Sequence, residues 1–78
     1  MSRDESITDR RQINSSCISS IGYSAIAQVL EIEFKSGAVY RYLAVPEDVH
    51  AKLIAADSKG AHLNRFIKPR FVCVRLKT

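Results

Sequence analysis

The chain has 78 residues, of which 46% are hydrophobic and 26% charged, and its formal net charge at pH 7 is +4. These are ordinary values for one small globular domain; they argue against disorder across most of the chain and leave little room for a deep active-site cleft. No apolar run approaches the roughly 20 residues that a membrane-spanning helix needs, and no apolar stretch follows the charged start, so we expect a cytoplasmic protein without a signal peptide or membrane contact.

Residues 1–12 are polar and charged and show no periodicity. They predict a disordered arm in front of a single domain that spans residues 13–78. A first strand is predicted from Ser16 to Tyr23, where serine, isoleucine and tyrosine predominate. The segment from Gln28 to Lys35 is the clearest strand, because its apolar and charged residues alternate with the period of a half-buried strand. The apolar set is Leu30, Ile32 and Phe34, and the charged set is Glu31, Glu33 and Lys35.

The third predicted strand, Val39 to Leu43, forms a hairpin with the second. A two-residue loop would require positive φ at Ser36, whereas a three-residue loop over 35–37 requires it only at Gly37. We therefore prefer the three-residue loop. It places Phe34 opposite Ala38, Ile32 opposite Tyr40, Leu30 opposite Tyr42 and Glu31 opposite Arg41.

Two short helices are predicted next. Pro46 suits the start of the first, and an apolar stripe follows at Val49, Leu53 and Ala56. Ser58 can cap the second helix, whose apolar face would consist of Leu63, Phe66 and Ile67.

Pro69 ends the second helix, and Arg70 to Leu76 alternates as a last strand. The predicted fold class is α+β. It consists of a small antiparallel sheet, in the order β-β-β-α-α-β, with two short helices packed on one face.

The two cysteines, Cys17 and Cys73, are far apart, form no CxxC motif and have no histidine at metal spacing. We expect two buried, reduced thiols that pack as small hydrophobic side chains. A disulfide between neighbouring strands is the alternative, and a reducing compartment disfavours it. No metal or other cofactor is expected.

Positive charge is concentrated towards the C-terminus. Residues 1–39 carry four basic and five acidic side chains. Residues 58–78 carry no acidic side chain and six basic ones, Lys59, Arg65, Lys68, Arg70, Arg75 and Lys77. This distribution creates a positive field that suits an anionic partner. The alternative is a solvated surface that only keeps the protein in solution.

Several short motifs resemble the KTSC domain, a family named for the C-terminus of certain lysyl-tRNA synthetases. They are Phe34-Lys35-Ser36-Gly37, Tyr40-Arg41-Tyr42, Val45-Pro46-Glu47, Ala56-Asp57-Ser58-Lys59-Gly60 and Asn64-Arg65-Phe66-Ile67. Ser16, Ile18 and Gly22-Tyr23 fit the first strand of the family, so the resemblance covers roughly residues 14 to 72. It implies a small domain found as a synthetase tail or as a free-standing bacterial or phage protein, for which RNA binding has been suggested.

Two sets of residues are candidates for nucleic-acid contact. Tyr40 and Tyr42 would stack on unpaired bases if exposed, but the predicted register favours a place in the core. Ser58-Lys59-Gly60, at a helix N-terminus, has the parts of a modest phosphate site. An ordinary inter-helix turn with a serine cap is the favoured alternative, and the two do not exclude each other. A basic stripe beside that turn would hold a phosphate backbone without reading its sequence. It consists of His62, Arg65 and Lys68, and Arg70 and Arg75 complete the basic set that follows the turn.

No spacing joins a nucleophile to a base, and neither His50 nor His62 has a catalytic partner in the sequence. Glu31 and Glu33 share a strand face with Lys35 and Arg41, which predicts an exposed ladder of ion pairs. We therefore expect a non-catalytic module without a small-molecule substrate. Its predicted partner is nucleic acid, RNA or tRNA in preference to DNA. The alternative is a protein-interaction or adaptor domain, self-associating through a sheet edge.

Overall fold

The computed structural model describes residues 11–13 and 15–77. Within these residues, five antiparallel strands form one sheet, whose spatial order follows the chain order. They are β1 (Arg11–Gln12), β2 (Ile18–Ser24), β3 (Val29–Phe34), β4 (Val39–Tyr42) and β5 (Cys73–Lys77). Helices α1 (Glu47–Ala55) and α2 (Lys59–His62) lie between β4 and β5, and a π-helical turn (Leu63–Ile67) continues α2. The α+β class and the predicted order are confirmed.

The short strand β1 precedes the elements that the sequence predicts, and it pairs with β2. It covers the last two residues of the predicted disordered arm. Residues 1–10 lie outside the described residues, so disorder there stays a prediction. Within the described part of the chain, no helix is both long and apolar enough to cross a membrane.

The β3–β4 hairpin has the predicted three-residue loop. Gly37 has a φ of 99° and donates its N–H to the Phe34 carbonyl at 2.9 Å. The Phe34 N–H donates in turn to the Ala38 carbonyl at 2.9 Å. The register is confirmed by three pairs across the strands, Leu30 with Tyr42, Glu31 with Arg41 and Ile32 with Tyr40.

The core lies between one face of the sheet and the helices, as predicted. The sheet and the segment after it contribute Ile18, Ile21, Leu30, Ile32, Tyr42 and Val45, and the helical segment contributes Leu53, Leu63 and Ile67. Ile18, Leu30 and Ile32 have no exposed surface, and neither do Leu53 and Ile67. Burial of these apolar side chains is the main force that holds the helices on the sheet.

The opposite face of the sheet carries the predicted pair of Glu31 and Arg41. The Arg41 Nη2 lies 2.6 Å from the Glu31 Oε2, and the Arg41 Nε lies 3.0 Å from the same oxygen. The neighbouring Glu33 accepts a hydrogen bond from the Ser20 hydroxyl at 2.8 Å. The ladder is less exposed than predicted, because β3 is the central strand and Glu31 is only 4% exposed between its neighbours.

The prediction that both cysteines are buried is wrong. Cys17 and Cys73 are exposed and free of any disulfide. Cys17 lies just before β2 and Cys73 is the first residue of the edge strand β5, so each occupies a border of the sheet. The Cys17 thiol nevertheless packs against α2, since a Cβ added at Gly60 would lie 2.6 Å from the Cys17 Sγ.

Candidate nucleic-acid interface

The second helical segment begins at a side-chain cap and widens into the π turn. Ser58 Oγ accepts a hydrogen bond from the Ala61 N–H at 3.3 Å, which confirms the predicted cap. The Lys68 N–H then donates to the Leu63 carbonyl at 2.9 Å, the i→i−5 bond of a π turn. The sequence, read as a regular α-helix, does not predict this widening.

The π turn determines which apolar side chains face the sheet. Leu63 is 1% exposed and Ile67 is fully buried, as predicted. Phe66 was predicted to share their face, but it is 42% exposed. That part of the prediction is wrong, because Leu63 and Ile67 fill the inward side of the wide turn and Phe66 is directed outwards.

Basic side chains surround the exposed Phe66 ring. Its centroid lies 4.8 Å from the centroid of the His62 ring and 6.0 Å from the Arg65 Cζ. The ring lines two grooves. One is also lined by Ser58, His62 and Arg65, and the other by Lys52, Arg70 and Phe71. We call the following set the Phe66 surface: Lys52, Ser58, His62, Arg65, Phe66 and Arg70.

The Ser58-Lys59-Gly60 turn lies at the edge of this surface, and each of its three residues has a structural role. Ser58 caps α2, and the Lys59 Nζ donates to the Ala56 carbonyl at 3.1 Å. Gly60 lies against Cys17. The groove beside the turn is lined by Ser58 and Lys59 and also by Asp57, whose carboxylate opposes an anion. The geometry is that of a capped turn between helices.

Lys68 lies apart from the other members of the predicted basic stripe. Its Nζ is 5.6 Å from the centroid of the Phe34 ring. It shares a separate groove with Lys35, Tyr40 and other residues at the β3–β4 loop. Residues three apart are neighbours on an α-helix, but the π turn spreads Arg65 and Lys68 further around the axis. The structure thus divides the predicted stripe between two surfaces.

The two tyrosines of the predicted stacking pair face the core side of the sheet. Tyr42 is only 2% exposed, so the core alternative is confirmed for it. Burial, followed by the nearby Cys73 and Tyr40, raises the pKa of Tyr42 to about 12. Tyr40 is half-buried against the core, with the Phe34 ring at its edge and the Arg75 guanidinium 5.6 Å from its centroid.

The third tyrosine, Tyr23, lies beside the first helix. The Tyr23 hydroxyl donates to the Val45 carbonyl at 2.6 Å, and the Tyr23 ring stacks on the His50 ring with centroids 4.4 Å apart. Burial and the neighbouring Glu47 and Asp48 raise the pKa of Tyr23. Among the residues that the structure describes, no group of three or more His, Cys, Asp or Glu side chains is arranged to hold a metal ion.

Comparison with known proteins identifies the family. The model of the KTSC domain family matches residues 14–71. An uncharacterised protein of Stutzerimonas stutzeri is 49% identical over 78% of this chain and 86% of its own length. A lysine–tRNA ligase of Nostoc punctiforme is 48% identical over 72% of this chain, but the match covers only 10% of that enzyme.

A solved structure agrees with the fold. The crystal structure of a KTSC domain protein from Yersinia pestis superposes with a TM-score of 0.84 at 40% sequence identity. The superposition covers 87% of this chain and 96% of that one. Sequence and structure together show that the chain belongs to the KTSC domain family.

Proposed function

We propose that this domain is a non-catalytic nucleic-acid-binding module of the cytoplasm, with RNA as its preferred partner. One observation carries the proposal. Among the described residues, the two grooves beside Phe66 are lined by Lys52, His62, Arg65 and Arg70 and by no carboxylate. Side chains of one sign along a groove attract a polyanion and release its counterions on binding.

The preference for RNA is supported by the relatives. Lysine–tRNA ligases of Nostoc punctiforme, Trichormus variabilis and a further Nostoc strain contain a segment that is 41–48% identical to this chain. A domain that accompanies an enzyme acting on tRNA is well placed to hold RNA. The two free, exposed thiols also suit the reducing cytoplasm, where such a partner is found.

The proposal predicts a salt-dependent affinity that depends on individual cations of the Phe66 surface. Arg65→Gln and Arg70→Gln should each reduce the slope of log K against log salt by about 0.7 for single-stranded RNA, and weaken binding about fivefold at about 0.1 M salt. Fluorescence anisotropy with a labelled single-stranded RNA and with tRNA, over a salt series, measures both quantities.

Lys77→Gln is the matched control, because it removes the same charge from the other face of the sheet, where Lys77 pairs with Val39. It should leave the slope almost unchanged. An unmodified protein that binds neither RNA at low salt would overturn the proposal. An equal loss in the control would show that net charge, and not this surface, is responsible.

A second candidate function is the addition of a protein strand to β5. All five residues of this edge strand are exposed, and its outer apolar side chains include Val74 and Leu76, which are 45% and 44% exposed. Two copies of β5 would bring the Arg75 and Lys77 charges of both together, so the favoured occupant is an extended acidic segment of another protein.

An alternating Glu-Val peptide tests this second function by NMR titration. Amide shifts confined to β5 and the adjoining part of β4 would support strand addition. A spectrum that does not change at millimolar peptide would exclude an acidic strand as the occupant. This test is independent of the RNA-binding measurement, because the Phe66 surface does not include β5.

A further inference from the structure

We propose that the exposed Phe66 ring stacks on an unpaired base, which makes single-stranded RNA, and not duplex, the ligand of the Phe66 surface. This inference rests on the proposed function and names its substrate class. Base stacking was expected at Tyr40 and Tyr42, but Tyr42 is only 2% exposed and Tyr40 is half-buried against the core. Phe66 is 42% exposed and lies among the cations.

The setting of Phe66 separates it from the other exposed apolar side chains. Ile26, at 99% exposed, and Val72, at 70%, lie in connecting segments and have no aromatic face to offer. Phe66 belongs to a turn that is fixed by the burial of Leu63 and Ile67 on either side. A ring held on a rigid element loses little conformational entropy when a base stacks on it.

The neighbouring side chains determine where a base fits. The centroids of the His62 and Phe66 rings are only 4.8 Å apart and their planes are tilted by 47°, so no base can enter between them. A base would stack on the exposed part of the Phe66 ring, beside the Arg65 guanidinium, whose Cζ lies over the ring 6.0 Å from its centroid. A cation lines each of the two grooves that the ring borders, Arg65 in one and Arg70 in the other. Phosphates next to the stacked base would therefore meet positive charge in the groove that they enter.

This arrangement discriminates against duplexes. In a double helix the bases stack on one another and their faces are not available to a protein side chain. Phosphate contacts remain, so duplex RNA would bind through charge alone. Because every base has a π face, the stacking contact itself would accept any of the four bases.

Phe66→Leu tests the inference, since it keeps an apolar side chain at an exposed position. Loss of stacking should weaken binding of a short single-stranded RNA by about 5- to 150-fold, with the affinity for duplex RNA and the salt slope little changed. Phe66→Tyr keeps the ring and should retain affinity for the single strand.

A direct reading of stacking comes from tryptophan fluorescence. The chain contains no tryptophan, so Phe66→Trp introduces a single tryptophan at the proposed contact, and its emission can be excited selectively in the presence of the three tyrosines. Single-stranded RNA should quench its emission, whereas duplex RNA should quench it much less. Ile26→Trp is the control, because residue 26 lies in the β2–β3 connection and is the most exposed of the large hydrophobic side chains described; its emission should stay constant.

The outcomes separate this inference from the proposed function. If Phe66→Leu binds single strands as tightly as the unmodified protein, and Phe66→Trp is not quenched, stacking is excluded while phosphate binding stands. If the unmodified protein binds no RNA at low salt, both proposals fail. The Phe66→Trp result decides the question even if the leucine variant proves unstable.

Discussion

Ile32→Ala is expected to lower the free energy of unfolding by about 2–5 kcal/mol, measured by urea denaturation. Ile32 has no exposed surface and lies on the central strand, opposite Tyr40 and beneath the helices. Truncation removes apolar contacts and leaves a cavity that the surrounding strands can only partly fill. A chain of 78 residues has a total stability of about 4–12 kcal/mol, so the variant should be close to unfolding at 37 °C.

Ile26→Ala is the control for this experiment, because the same atoms are removed from a side chain that is 99% exposed. Its stability should change by no more than about 0.5 kcal/mol. Equal losses in the two variants would contradict the described core, and so would an Ile32→Ala protein as stable as the unmodified one.

The second large effect is expected at alkaline pH. Burial raises the pKa of Tyr42 from 10.0 to about 12. Below pH 10 both the folded and the unfolded state hold the phenol proton, so the contribution of Tyr42 to stability is fully present. Between pH 10 and pH 12 the unfolded state loses the proton first and thus binds fewer protons. The free energy of unfolding should therefore fall by up to about 1.4 kcal/mol per pH unit, or about 3 kcal/mol over the interval.

The measurement is urea denaturation at a series of pH values from 8 to 12, with tyrosinate absorbance recorded in parallel. Tyr42→Phe removes the ionising group and should flatten this part of the pH dependence. Tyr40→Phe removes a hydroxyl two residues away on the same strand. It should leave the pH dependence that Tyr42 causes unchanged. If Tyr42→Phe loses stability with pH as steeply as the unmodified protein, Tyr42 is not the group responsible.

The sheet could be predicted because turn chemistry and side-chain alternation agree. A glycine was needed at only one loop position, Gly37, and this requirement was enough to choose the register. The register in turn placed Tyr42 in the core and Glu31 beside Arg41. Such local rules are strong because a slip of one residue would turn every apolar side chain of the strand towards solvent.

The candidate site was harder to predict. Residues His62, Arg65 and Lys68 form a stripe only if the backbone is a regular α-helix, and the π turn separates Lys68 from the others. The same turn exposes Phe66. A π turn is stabilised by tertiary packing, here the burial of Leu63 and Ile67, and no residue pattern in one sequence reports it. The predicted burial of the cysteines was also wrong. Cys17 and Cys73 lie where strands begin, and their exposure depends on which segments cover those positions, which the sequence does not show.

The order of the strands has a consequence for how the chain folds. Strands β1 to β4 pair with their sequence neighbours, so each of these contacts closes only a short loop. The pairing of β4 with β5 must instead close the segment of residues 43–72, which contains both helices. Loop closure costs more entropy as the loop lengthens, and distant contacts slow folding. The four strands β1 to β4 are thus expected to pair early. Packing of the helical segment against this sheet, which positions Phe66, completes the fold.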